Sequence, residues 1–420
     1  MGNQFNHEYD VIVVGAGIVG LAAALAFAKQ ELSVALIEAH KPSAQFPLLD
    51  EAIDAKVVAI TRASENFFSY LGVWQDIKAS RYSPYHHMCV WDSVMDGIIH
   101  FSAMDFFEDN LGYIIEQKVI LAALLTGLQK QSSVHYFWGE YLADFSFQNG
   151  SQITLTNGTK LKAKLVIGAD GAKSTLRKLC HIDSAYIDYQ QVAIVATLQS
   201  EKSHTKTAYQ RFAQDGPLAL LPLSDENLSS LVWTTTPEKA NELMQVTKNE
   251  FGLALTRECD AILGNLTLMS KPLMFPLSSH HAKSYVTEGC VLVGDAAHTI
   301  HPLAGLGVNL GLLDVATLVE MLALKSDTVQ KRETHLKHYE RQRKTHNQLM
   351  IWAMSAFKQG FGSQNALVAY LRNLGLGWVD KHFSLKQFFA KMAMGTLGPI
   401  PQCAKKNIQR TDSVKKNAII

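Results

Sequence analysis

The sequence predicts an α/β protein: a Rossmann-like nucleotide-binding domain, an inserted sheet-rich domain and a helical C-terminal region. Three observations carry this. A strand, glycine loop, helix and second strand open the chain between Tyr9 and Glu38. Short β-rich runs with turn signals recur from Tyr141 to about residue 280. After Asp314 the pattern turns helical as far as Leu397. The expected division is residues 1–185 and 281–325 for the nucleotide-binding domain and 186–280 for the inserted domain. Residues 326–420 then form the helical region with its basic tail.

Whole-chain properties narrow the class. A chain of 420 residues is long for one core. With 47% hydrophobic and 18% charged residues it is a folded globular protein, not a disordered one. A formal net charge of +1 leaves no electrostatic footprint for nucleic acid. The five cysteines are scattered and form no Cys-x-x-Cys pair, so neither a disulfide framework nor a structural zinc is expected. A reducing cytoplasm fits that usage. The opening MGNQFNHEYD lacks the plan of a signal peptide, and Asn6 argues against myristoylation. Val11 to Ala28 is long enough to span a membrane, but Gly15, Gly17 and Gly20 lie in it. It reads instead as a buried strand, turn and helix.

Each element follows in order. Tyr9–Val14 is a β-branched run suited to a strand buried on both faces. Gly15, Gly17 and Gly20 have the G-x-G-x-x-G spacing: a tight turn, a close backbone approach to pyrophosphate, and close helix packing. Leu21–Gln30 reads as the helix whose N–H groups face the phosphate. Ser33–Ile37 forms the next strand and ends on Glu38, placed to accept hydrogen bonds from ribose hydroxyls. This unit alone does not separate NAD from FAD. Asn149-Gly150 and Asn157-Gly158 suit type I′ hairpin turns between strands. The strand at Leu165–Ile167 ends in Gly168-Ala169-Asp170-Gly171, which puts Asp170 at the carboxyl edge of a sheet, as a nucleotide ligand or a helix cap. Val192–Leu198 and Leu218–Thr235 supply further strands. Tyr285–Val293 leads into GDAAHTIHPLAGLGVNLG, residues 294–311. His298 and His301 within it lack a third ligand and any His-Glu-x-x-His pattern, so no metal is expected. Hydrogen bonding and acid–base work are the two roles open to them, with His301 the candidate for the second.

Together GAGIVG with Glu38, GADGAKSTLR, and GDAAHTIHPLAGLGVNLG resemble the flavin-dependent hydroxylases of the p-hydroxybenzoate hydroxylase type. IDAKVVAITRASENFFSYLGVW, SPYHHMCVWD, LGYIIEQKVI, QRFAQDGPLALLPL and RNLGLGW are similar to the ubiquinone-biosynthesis hydroxylases within that group. The resemblance runs from Tyr9 to about Pro399. It implies FAD as cofactor, with Asp295 after Gly294 reaching the ribityl chain and Pro302 beside the reactive edge of the flavin. Gly305 belongs to the same stretch, and Gly307, Val308 and Asn309 present backbone groups to the pyrimidine side. Asp170 and Gly171 fall in the motif that serves FAD and reduced nicotinamide. Lys56 stands where the family has Arg, Gln117-Lys118 where it has Asn-Arg, and Leu306 where it has Gln. Lysine lacks the bidentate fork that suits phosphate, so retained but weaker FAD binding is expected.

The implied activity is hydroxylation of the aromatic ring of a polyprenylated phenol or quinol with NAD(P)H and O2, through a flavin C4a-hydroperoxide. Other quinone-biosynthesis proteins are implied partners. The competing readings are a hydroxylase of a small soluble aromatic acid, a flavin-free binding protein, and a non-catalytic subunit of a quinone-biosynthesis complex. A lipid-tailed substrate implies contact with the inner face of a membrane. Leu385, Phe388, Phe389 and Met392 make an apolar helical stripe flanked by Lys386 and Lys391, and a basic tail follows. Such a helix fits either a membrane surface or its own domain.

Overall fold

A computed structural model describes residues 7–47, 51, 53–92, 98–148, 150–300, 305–362 and 383–406. The nucleotide-binding core is an eight-stranded sheet. Its main path runs Val286–Thr287, Cys290–Leu292, Lys160–Gly168, His7–Val14, Val34–Glu38 and Val134–Trp138. From Cys290–Leu292 to Val134–Trp138 every pairing is parallel. Parallel strands need covered faces, and their side chains here are correspondingly apolar and buried. The helix Ile18–Ala28 is buried on all sides and packs against the helices Gln117–Gln129 and Gly307–Met321. The carboxyl ends of the central strands thus carry Gly15, Glu38, Asp170 and Gly294 to one edge of the sheet, where nucleotides bind in open α/β folds.

A nine-stranded, mainly antiparallel sheet forms the second layer system. Its path is His298–Thr299, Leu273–Ala282, Ser184–Ser200, Leu228–Thr235, Gly216–Pro222, Thr207–Ala213, His87–Asp92 and Ile98–Ser102, with Leu266–Leu268 beside Ser184–Ser200. Strands from 87–102 and 298–299 therefore join those of 186–280. The junction with 87–102 is a parallel pairing, Thr207–Phe212 against His87–Asp92. Trp233 and Phe251 meet edge to face at 6.1 Å where the helix Lys248–Glu258 covers this sheet. A three-stranded sheet of Val57–Ile60, Gly112–Glu116 and Ser83–Tyr85 carries the segment around Lys56.

One turn differs from expectation. A type I′ turn needs positive φ at both central residues, yet Asn157 is not in that region and only Gly158 is, at +85°. Gly158 N–H donates to Leu155 C=O and Leu155 N–H to Thr159 C=O. This is the longer hairpin loop closed by a left-handed glycine, and the Asn157 carboxamide holds Thr159 N–H at 2.8 Å. Asn149 lies outside the described residues. The helical region contains Gly307–Met321, Val329–Gly362 and Phe383–Ala393.

Candidate cofactor cradle

The three glycines of the first loop answer different demands. A Cβ on Gly15, at φ +102°, would lie 2.4 Å from the Ala169 carbonyl oxygen; one on Gly20 would lie 2.0 Å from that of Gly15. Both are imposed by the protein's own packing. Gly17 would meet nothing within 4 Å. Its emptiness faces outward at the start of Ile18–Ala28, which has no side-chain cap and no acid in its first turn. A helix start with free N–H groups and no counter-charge suits a pyrophosphate. Glu38 closes the loop from behind: its carboxylate accepts from Ala16 N–H at 2.6 Å and His40 N–H at 3.0 Å. Two carboxylate oxygens hold more lone pairs than these two bonds use, so capacity for ribose hydroxyls remains.

Asp170 follows the neighbouring strand. One oxygen caps Thr175 and Leu176 N–H, at 2.7 and 3.1 Å. Its other oxygen, Oδ1, is buried without a hydrogen-bond partner. Gly171 is left-handed at +79° with open space at its Cβ position. Helix capping thus uses half of the carboxylate and leaves half for something else.

The turn Gly294–Asp295 sits beside this pair, since Val293 N–H donates to Gly168 C=O. Gly294 is left-handed at +56°. Asp295 is exposed to solvent yet crowded by protein, as a group lining a cleft is; that crowding raises its carboxyl pKa, partly offset by His298. Further along, Gly305 at +60° precedes the helix that starts at Gly307, Val308 and Asn309. Gly307, like Gly17, would carry a Cβ into empty space. The Asn309 side chain points inward. Its amide donates to Ala59 and Gly305 C=O at 2.7 and 3.1 Å, and its oxygen accepts from Thr61 N–H and Ser64 Oγ at 2.9 and 2.7 Å. All its bonding capacity is spent clamping the helix start to the strand Val57–Ile60 and the helix after it. Leu306 turns away into an apolar cluster with Ile300, Leu310 and Met350. His301 and Pro302 lie outside the described residues.

The Lys56 segment is tethered from below. Gln117 N–H donates to Lys56 C=O at 3.0 Å, and Glu116 accepts Asp54 N–H at 2.8 Å. Glu116 is itself buried in a two-pronged pair with Arg81, at 2.8 and 3.0 Å, and Arg81 also donates to Glu51 C=O. Lys118 reaches Glu116 at 3.5 Å. The Lys56 ammonium lies over the Phe275 ring at 5.6 Å, which brings the large sheet against the cradle.

His298 is fully buried, with Nε2 2.6 Å from Asp314. Among the described residues no group of His, Cys, Asp or Glu could hold a metal ion. Sequence reasoning missed Arg81, Glu116, Asp314, Arg343 and His280. Asp314 alone had a visible signal, an acid in the middle of an apolar helix. Burial would raise its carboxyl pKa, but His298 and Arg343 outweigh that and hold it well below the carboxylate range.

Burial pushes His280 and His281 down to about 4, Arg177 adding to the first and His298 to the second. Their folded pKa values lie below the ordinary 6.5, so their stabilisation is present above about pH 6.5 and is lost as pH falls toward 4. Thermal unfolding followed from about pH 7.5 to about pH 4.5 should show a progressive fall in Tm, whereas a flat profile contradicts it.

The FAD binding domain family matches residues 8–353. The 3-demethoxyubiquinol 3-hydroxylase of Escherichia coli (strain K12) is 34% identical over 393 residues, covering 93% of this chain and 99% of that one. The mitochondrial ubiquinone biosynthesis monooxygenase COQ6 of Mus musculus is 34% identical, covering 92% of this chain and 91% of that one. The crystal structure of p-nitrophenol 4-monooxygenase PnpA from Pseudomonas putida DLL-E4 superposes with a TM-score of 0.75 at 17% identity, covering 94% of this chain and all of that one. The last likeness is one of fold.

Proposed function

The chain belongs to the FAD binding domain family and, within it, to the hydroxylases of ubiquinone biosynthesis; from that premise we propose that it hydroxylates the aromatic ring of a polyprenylated phenol or quinol with O2 and NAD(P)H. FAD-dependent hydroxylation in ubiquinone biosynthesis is its activity. The observation that carries the cofactor's place is the pair of empty positions at Gly17 and Gly307, with the unpartnered oxygen of Asp170 following the strand paired to the one before Gly17. The residues present fit FAD.

The chemistry supplied by bound FAD is hydride acceptance and reaction of its reduced form with O2. Around it this chain's residues bind, orient and exclude water. Helix N–H groups near Gly17 hold pyrophosphate, Glu38 takes ribose hydroxyls, and Asp295 takes the ribityl chain. Backbone groups of Gly307, Val308 and Asn309 hold the flavin ring, with Asn309 fixing the helix start that offers them. Pro302 and His301 belong to the stretch that would adjoin the flavin and lie outside the described residues; hydrogen bonding is the first role open to His301 and acid–base work the second. Lys56 and Gln117 close the segment over the cofactor, and Phe275 brings apolar surface against an aromatic substrate. Keeping the site dry matters because water diverts the reaction to hydrogen peroxide. The test of the activity is the origin of the oxygen atom added to a quinol ring, which should be O2 and not water.

Peripheral membrane contact completes the proposal. No described helix is long and apolar enough to cross a membrane. On the short turn Ala103–Phe106 and just after it, Met104 is 81% and Phe107 94% exposed. The turn packs on the helix Phe383–Ala393 through Ala103, Leu111, Ala390 and Met394, and Phe388 of that helix is half-exposed. The side chains of Leu385, Phe389 and Met392 lie outside the described residues. Two large apolar side chains at one tip suit insertion at a lipid interface. Replacing both, Met104→Ser with Phe107→Ser, should reduce flotation with anionic liposomes; undiminished flotation removes this tip from the proposal.

A further inference from the structure

Three successive backbone groups of the Gly294–Ala296 turn are each held by a buried side chain from a different element. Gly294 N–H donates to Asp314 at 3.0 Å. Asp295 C=O lies 2.8 Å from His280 Nε2. Ala296 C=O accepts from Arg177 at 2.7 Å. The three side chains come from the helix Gly307–Met321, the strand Leu273–Ala282 and the helix Thr175–Leu179. All are more than nine-tenths buried.

The struts are themselves braced. Asp314 has four donors: His298 Nε2 and Gly294 N–H on one oxygen, and Arg343 Nε at 2.8 Å with Asn347 at 3.1 Å on the other. Arg343 also bonds the Asn347 oxygen and Leu310 C=O. The Tyr285 ring stacks on His298 at 5.8 Å, and its hydroxyl meets His281 at 2.8 Å. Arg177 is fixed at its other end on Ala172 C=O at 2.8 Å. A left-handed glycine followed by an acid needs such bracing, because a turn alone leaves the acid free to swing.

We infer that Asp314, His280 and Arg177 are positioning residues that jointly fix the backbone of the Gly294–Ala296 turn and so aim the Asp295 carboxyl into the cleft. This rests on the reading of that cleft as the FAD site. None of the three touches the cofactor in this scheme; each acts through Asp295. His280 offers the cleanest test. A glutamine side chain can place a donor near the Nε2 position, whereas leucine fills similar space and donates nothing.

The experiment compares the full-length holoprotein with its His280→Leu and His280→Gln variants. Three readouts are taken: FAD dissociation constant by fluorescence titration, the visible spectrum of the bound flavin, and Tm. His280→Leu should weaken FAD binding by about tenfold and shift the flavin spectrum, as loss of an outer partner does at other sites. His280→Gln should restore affinity to within about twofold, with the parent spectrum. A loss of Tm in His280→Leu with unchanged affinity and spectrum would overturn the inference, because the bond would then be structural only. So would failure of His280→Gln to rescue. Should His280→Leu not fold, Arg177→Lys provides the second arm: it keeps charge, shortens the reach to Ala296, and should show the same weakening and spectral shift. Unchanged FAD affinity and spectrum in that variant would likewise overturn the inference. A parent protein that binds no FAD would instead overturn the reading of the cleft.

Discussion

A Gly17→Val protein is expected to fold as its parent does and to come off the column without flavin. The backbone at Gly17 is extended, φ −70° and ψ −180°, so any residue can adopt it. A Cβ there meets no protein atom within 4 Å. The cost to stability should stay under about 1 kcal/mol, the scale of a poor helix-capping residue. The branched side chain would nevertheless fill the space assigned to the pyrophosphate and cover the helix N–H groups. Gly20→Ala is the counterpart. Its Cβ would be 2.0 Å from a backbone oxygen, so the strand and helix must separate and folding itself should suffer. Melting curves and FAD content measured together separate the two effects. A Gly17→Val protein carrying as much FAD as its parent would remove pyrophosphate from that position.

Arg81→Met should be the most destabilising of the single changes considered outside the glycine loop. Arg81 and Glu116 are both nearly inaccessible, joined by one hydrogen bond and a second ion-pair contact. Removing Arg81 leaves the buried Glu116 carboxylate with the longer, partly exposed Lys118 contact at 3.5 Å as its ion pair, at about 3–5 kcal/mol. For a protein of 420 residues the expected fall in Tm is about 3–6 °C. The double change Arg81→Met with Glu116→Leu should recover much of it, because no unpaired charge is left behind. FAD retention should fall in both, since Glu116 is the anchor of Asp54 and hence of the Lys56 segment. Differential scanning fluorimetry decides it: an Arg81→Met protein melting within about 2 °C of its parent contradicts the burial argument.

What the sequence makes legible in the cradle is its local part. Gly17, Asp170, Gly294 and Gly307 stand out because their role is local: a turn, a strand end or a helix start recognisable from a few neighbours. Their close partners are not local. Gly15 needs to be glycine because Ala169 packs on it, and that fact exists only once two strands pair in parallel. Asn309 looked like a residue offering its backbone, while its side chain proves to be a clamp on Ala59, Thr61 and Ser64, some 250 positions earlier. Arg81, Glu116 and Arg343 read along the chain as ordinary charges, and Asp314 shows only as an acid within an apolar helix. Only burial makes them costly, and burial belongs to the fold. The strands at 87–102 join the large sheet by pairing with Thr207–Phe212, across a separation that periodicity cannot report. Leu306 is clearer in structure than in sequence: a residue unusual for the flavin side packs instead on Met350 and Leu310.

The measurement that bears most directly on quinol hydroxylation at this cradle is an oxygen-isotope assay. The purified FAD-loaded chain is given a polyprenylated quinol lacking one ring hydroxyl, NAD(P)H, and oxygen-18 gas. The expected result is a product with one added ring hydroxyl whose oxygen is oxygen-18, and none from the Gly17→Val protein. NAD(P)H consumption with the quinol recovered unchanged, or a hydroxyl whose oxygen comes from water, contradicts it.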